Sequence, residues 1–113
     1  TYYTEKKYGL YADQGEGDQW VYVLSNPSLP KEYLKIGYTK LKPEERAIQI
    51  SSATGVPTPY KVEWAYKCFN GEIVERMTHQ KLKAFRVNNK KEFFHISLEE
   101  AKDNIILIGN KFK

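Results

Sequence analysis

Three stretches of the chain read as β-strands, and three others follow signals that start a helix. Trp20-Val21-Tyr22-Val23-Leu24 is a β-rich apolar run stopped by Ser25-Asn26-Pro27. After a loop containing Pro27 and Pro30, Tyr33-Leu34-Lys35-Ile36-Gly37-Tyr38-Thr39 forms a second run. Two strands this near in sequence predict an antiparallel hairpin with a generous loop. From Tyr60 to Phe69, Val62, Trp64, Tyr66 and Cys68 fall in strict alternation, the pattern of a half-buried strand.

Pro43 with Glu44 and Glu45 behind it predicts a helix to about Ser52, because proline suits the first helical position and carboxylates suit the positive end of the dipole. Asn70-Gly71 breaks the chain before a second helix, expected over roughly Glu72–Phe85. On its wheel Ile73, Val74, Met77, Ala84 and Phe85 fall on one side, with Glu75, His79 and Arg86 on the opposite stripe. A polar turn at 88–91 and a short extended segment, Glu92–Ile96, precede Ser97, which has Glu100 at the capping-box position. The last helix is expected over about Leu98–Ile108. The order is β-β-α-β-α-α. It predicts an α/β chain of the α+β kind, a small central antiparallel three-stranded sheet flanked by helices around one core.

At 113 residues the chain fits one domain. Residues 1–19, with Gly15-Glu16-Gly17-Asp18 as a turn or loop, read as an N-terminal arm; 20–109 is the folded domain and 110–113 a basic tail. The opening Thr1-Tyr2-Tyr3-Thr4 has neither a methionine nor a signal-peptide pattern, so a piece of a longer protein is expected. No apolar run approaches the ~20 residues that span a bilayer. Cys68 is the only cysteine, which rules out an intramolecular disulfide and a cysteine-based zinc site; a reducing, cytoplasmic setting fits. The formal charge of +4 and the pI near 9.1 favour a polyanionic partner.

A phosphate-binding glycine loop, a nucleophile elbow and an HExxH pair are all missing from the sequence. The polar groups left to carry chemistry surround the hairpin: Tyr22, Lys35, Tyr38, Arg46, Glu75 and His79. Each has a plain structural reading beside the chemical one. Tyrosines are ordinary on strands, Arg46 suits a solvated helix face, and Glu75 and His79 are spaced as an exposed helix pair. Lys40 and Lys42 follow the second strand, and Arg86, Lys90 and Lys91 follow the second helix; together they would flank a phosphate backbone.

The set Val21-Tyr22-Val23, Lys35-Ile36-Gly37-Tyr38-Thr39, Pro43-Glu44-Glu45-Arg46-Ala47, Ser52-Ala53-Thr54-Gly55-Val56-Pro57, Glu75 and Glu92-Phe93-Phe94 resembles the GIY-YIG nuclease superfamily, in its phage- and defence-associated branch, over about residues 20–106. The resemblance implies endonucleolytic hydrolysis of DNA with one Mg²⁺ or Mn²⁺. It implies that Tyr22 lies on the side of the attacking water, that Arg46 contacts the scissile phosphate and that Glu75 holds the metal. Lys35 stands where the superfamily has the first tyrosine of its second motif, so water activation is expected from Tyr22 with Lys35 or Tyr38 assisting. His79 is an accessory candidate, Glu92 a reserve metal ligand, and Asn88 and Asn89 fall where the superfamily often has an asparagine. The alternative is a catalytically inactive nucleic-acid-binding module of the same fold. Such chemistry suits the residue types, since guanidinium forks fit phosphate oxygens and a hard cation needs few protein ligands.

Overall fold

The computed structural model describes residues 15–30, 32–53, 58–87 and 90–112. Most of the expected arm, the Gly55-Val56-Pro57 segment, Asn88, Asn89 and the side chains of Lys90 and Lys91 lie outside them. Within the described residues five strands form one antiparallel sheet: β1 (Gln19–Ser25), β2 (Tyr33–Thr39), β3 (Lys61–Cys68), β4 (Arg86–Val87) and β5 (Lys90–His95), in the spatial order β3-β1-β2-β5-β4. Among the described residues three helices join them: α1 (Pro43–Ala53), α2 (Gly71–Lys81) and α3 (Leu98–Lys111), with a short 3₁₀ turn at Lys83–Phe85.

The α+β class and the β1–β2 hairpin follow the sequence pattern, but the sheet has five strands where three were expected. The short extended segment became β5, pairing Tyr33 with His95, Leu34 with Phe94 and Lys35 with Phe93. Phe94 is fully buried, and that burial draws a segment with little alternation of its own onto the β2 edge. β4 then covers the far side of β5.

The second helix is shorter than its sequence suggests. It ends at Lys81 because Leu82 turns into the core and the chain must reverse toward β4. Its buried stripe is Gly71, Val74, Thr78 and Leu82, whereas Met77, Ala84 and Phe85 are exposed. Small residues on that stripe let the helix approach the sheet closely; a Cβ on Gly71 would lie 3.0 Å from Tyr38 Cδ2. Glu75 and His79 therefore flank the buried stripe and are half-buried, rather than standing on an opposite, solvated face. The first N–H of this helix is capped from a distance, Gly71 donating to Gln19 Oε1 at 2.9 Å.

The last helix, in contrast, outruns its expected end by three residues. Gly109 does not stop it, because this glycine is where the helix crosses Tyr66: an added Cβ would sit 2.5 Å from the ring's Cζ. Ser97 caps the helix, its Oγ accepting from Glu100 N–H at 3.2 Å. The core lies between the sheet and its helices, built on Val21, Val23, Leu24, Ile36, Ala65, Tyr66, Val74, Phe94 and Ile105. Cys68 is free and buried, and burial pushes its thiol up to about 11, which leaves it inert. Among the described residues, no helix is long and apolar enough to cross a membrane.

Candidate functional site

The site lies where β2 and β5 part. Their pairing ends at Lys35 and Phe93, so the rest of β2, Ile36–Thr39, has β1 on one side and no strand on the other among the described residues. Exposed backbone groups on a sheet edge need partners. Helix α2 supplies two of them from adjacent turns. Nε2 of His79 hydrogen-bonds the Ile36 carbonyl oxygen at 2.7 Å, and the Glu75 carboxylate accepts from the Tyr38 backbone N–H. The i, i+4 spacing of Glu75 and His79 thus matches the two-residue step of a strand edge.

Tyr22 reaches the same edge from β1. It pairs in register with Gly37, and register partners share a face of the sheet. The ring lies over Gly37 so closely that a Cβ there would come 2.6 Å from Tyr22 Cζ. Only glycine leaves room for the phenol to cross β2. Tyr22 is 2% exposed, and its hydroxyl oxygen accepts a hydrogen bond from the Arg46 guanidinium. Burial outweighs that bond and pushes the phenol up to about 12, with the charges of Glu92 and Glu75 adding to the rise. Arg46 is held on its other side by Gln49, Nη1 to Oε1 at 3.1 Å.

Lys35 shares the face of Tyr22 and Gly37. Its Nζ lies 2.6 Å from Glu92 Oε1 and 5.2 Å from the Phe93 ring centroid. Glu75 is raised to about 7, first by burial and then by the nearby charge of Glu92, with the Tyr38 N–H and Lys35 pulling the other way. His79 is shifted below the usual imidazole range by burial, so it is neutral at pH 7; its ring packs 5.0 Å from that of Phe94.

Tyr22, Lys35, Arg46, Glu75 and His79 thus converge on one edge, and Glu92 joins them as a full member. The phenol of Tyr38 does not. Lys35 and Tyr38 are three apart on a strand and face opposite sides, and the Tyr38 ring packs against Gly71. Only its backbone N–H enters the site. Glu92 is paired with Lys35. Arg86 stacks its guanidinium 5.6 Å from the Phe94 centroid beside His79, and Lys40 and Lys42 are exposed at the end of β2. Glu92, expected only as a reserve metal ligand, pairs with Lys35, and Gly37 makes room for the Tyr22 ring; both roles come from the register of β2 against its neighbours.

A family model for the T5orf172 domain matches residues 19–109, which takes in β1 to β5, α1, α2 and all but the last two residues of α3. The chain belongs to the T5orf172 domain family. This corrects the reading suggested by the strand motifs: T5orf172 is a different family from the GIY-YIG nucleases, and no GIY-YIG model matches. T5orf172 domains are nuclease-like and DNA-binding, so nucleic acid is the partner class to which the family points. Searches of curated proteins and of solved structures found no match.

Proposed function

We propose that this T5orf172 domain is an endonuclease that hydrolyses phosphodiester bonds of DNA with the help of a divalent cation. The observation that carries the reading is the convergence of Arg46, Lys35, Glu75 and Tyr22 on the open edge of β2. Two fixed positive charges suit a phosphate whose transition state gathers negative charge. Arg46, held from both sides by Tyr22 and Gln49, binds the scissile phosphate as a planar fork. Tyr22, with its proton held to about pH 12, acts as the anchor of Arg46 rather than as a base.

Glu75 fits the cation. A half-buried carboxylate raised to about 7 by burial and a second carboxylate is the group a bound cation would relieve. Glu75 would be a single protein ligand, which a hard ion that keeps its waters can accept. Mg²⁺ or Mn²⁺ would supply Lewis-acid stabilisation of the leaving oxygen when bound at Glu75. His79, neutral and tied to Ile36, holds α2 and with it Glu75 against the open edge of β2. Lys40, Lys42 and Arg86 would bind the flanking backbone; Lys90 and Lys91, expected to share that role, have side chains outside the described residues. A cytoplasmic setting and a role in phage defence accord with this activity.

A second reading is a catalytically inactive DNA-binding module, favoured by the way Lys35 and Glu92 satisfy each other in the free domain. Supercoiled plasmid separates the two. The nuclease reading expects nicking in Mg²⁺ or Mn²⁺ and none in EDTA. Salt-sensitive gel-shift binding that persists in EDTA, with no nicking in any metal, would leave only the binding module.

A further inference from the structure

Glu92 sits at the fork where β5 leaves β2, next to the last paired residue, Phe93. Its charge acts on Tyr22, Tyr60, Glu75 and His79, three of which gather at the open edge of β2. Its contact, however, is with Lys35. The Lys35 side chain is 13% exposed, against 44% for Glu92, so the buried partner is the lysine and the carboxylate closes over it from the solvent side. A lysine stem is flexible, and its ammonium is a compact charge with three donors. Glu92 takes one donor at 2.6 Å, the Phe93 ring covers a face of the charge at 5.2 Å, and two donors remain for an anion.

We propose that Glu92 is a positioning residue that acts through Lys35, fixing the ammonium over Phe93 so that it meets the scissile phosphate alongside Arg46. The inference rests on the nuclease reading above. It assigns Glu92 to the lysine, not to the metal. A plain surface pair would hold an exposed lysine, whereas here the pair fixes a largely buried one beside the open edge of β2.

The test is a double-mutant cycle on plasmid nicking with Glu92→Gln, Lys35→Met and the double variant, each checked for an unchanged melting temperature. Glu92→Gln should lower kcat by about tenfold or more with KM altered by less than about threefold, as for a lost orientation rather than lost binding. The double variant should be no slower than Lys35→Met, and Glu92→Asp should recover part of the rate. Reductive methylation of Lys35 gives a readout independent of activity: it should be faster in Glu92→Gln than in wild type. Multiplicative losses in the double variant would overturn the proposal, as would wild-type nicking and methylation by Glu92→Gln. So would a Glu92→Gln defect repaired by extra Mn²⁺ when that of Lys35→Met is not, because Glu92 would then act on the metal. If Glu75→Ala nicks as well as wild type, the nuclease reading itself fails; if only Glu92→Gln does, the nuclease reading survives without this assignment.

Discussion

Tyr22 and Gly37 occupy one place in the sheet, the ring of the first lying where a side chain on the second would have to go. Because the phenol is fully buried, it cannot swing aside into solvent. Gly37→Ala should therefore cost about 1–3 kcal/mol in urea unfolding, the range for overpacking a filled core, and should loosen Arg46 as well. Unchanged stability would mean that the ring does not cross the strand as described. Glu75 gives a pH-dependent counterpart. Its folded value of about 7 lies above the ordinary 4.5, so the folded state holds the proton more tightly than the unfolded chain does. Stability from this group is complete below about pH 4.5 and is lost as pH rises through 7. Glu75→Gln, which can still accept from the Tyr38 N–H, should gain on wild type in metal-free thermal melts between those limits and hold its gain above them. A gain that shrinks with rising pH would contradict the burial. The residue types at this site were legible in the sequence, but Glu92's partner was not. Lys35 lies 57 positions away, and their contact depends on how far β2 and β5 stay paired.

At the scale of elements, local signals were read well where local physics decides. Ser97 shows this: its hydroxyl accepts the Glu100 N–H at the start of α3. Ser97→Ala should cost about 1 kcal/mol in denaturant unfolding, the usual worth of an N-cap, and no loss would remove the cap from the account. The bounds of β2 and the start of α1 were equally plain in the residues. Elements whose limits are set by distant contacts were read poorly. The face of α2 misled because its buried stripe contains Gly71 and Thr78, chosen for closeness to the sheet rather than for oiliness. Met77 and Phe85 look like core on a wheel but face solvent. The last helix outran its expected end because Gly109 is a crossing point against Tyr66. β4, at two residues, is too short to carry a periodic signal at all.

Across the whole molecule the site needs all layers at once. The sheet supplies Tyr22 and Lys35, α1 supplies Arg46, α2 supplies Glu75 and His79, and the added strand β5 brings Glu92. The T5orf172 match, over residues 19–109, spans the same elements. The motifs that resemble GIY-YIG nucleases proved a guide to which polar groups gather, not to the family that holds them. The central claim is that the open edge of β2 cleaves DNA through a cation on Glu75. Nicking of supercoiled plasmid in Mn²⁺ by wild type and Glu75→Ala, purified side by side and matched in melting behaviour, tests it most directly. The account predicts metal-dependent nicking by the wild type and loss of at least about a hundredfold in the variant, the scale of removing one transition-state contact. Equal nicking by the two proteins would contradict it.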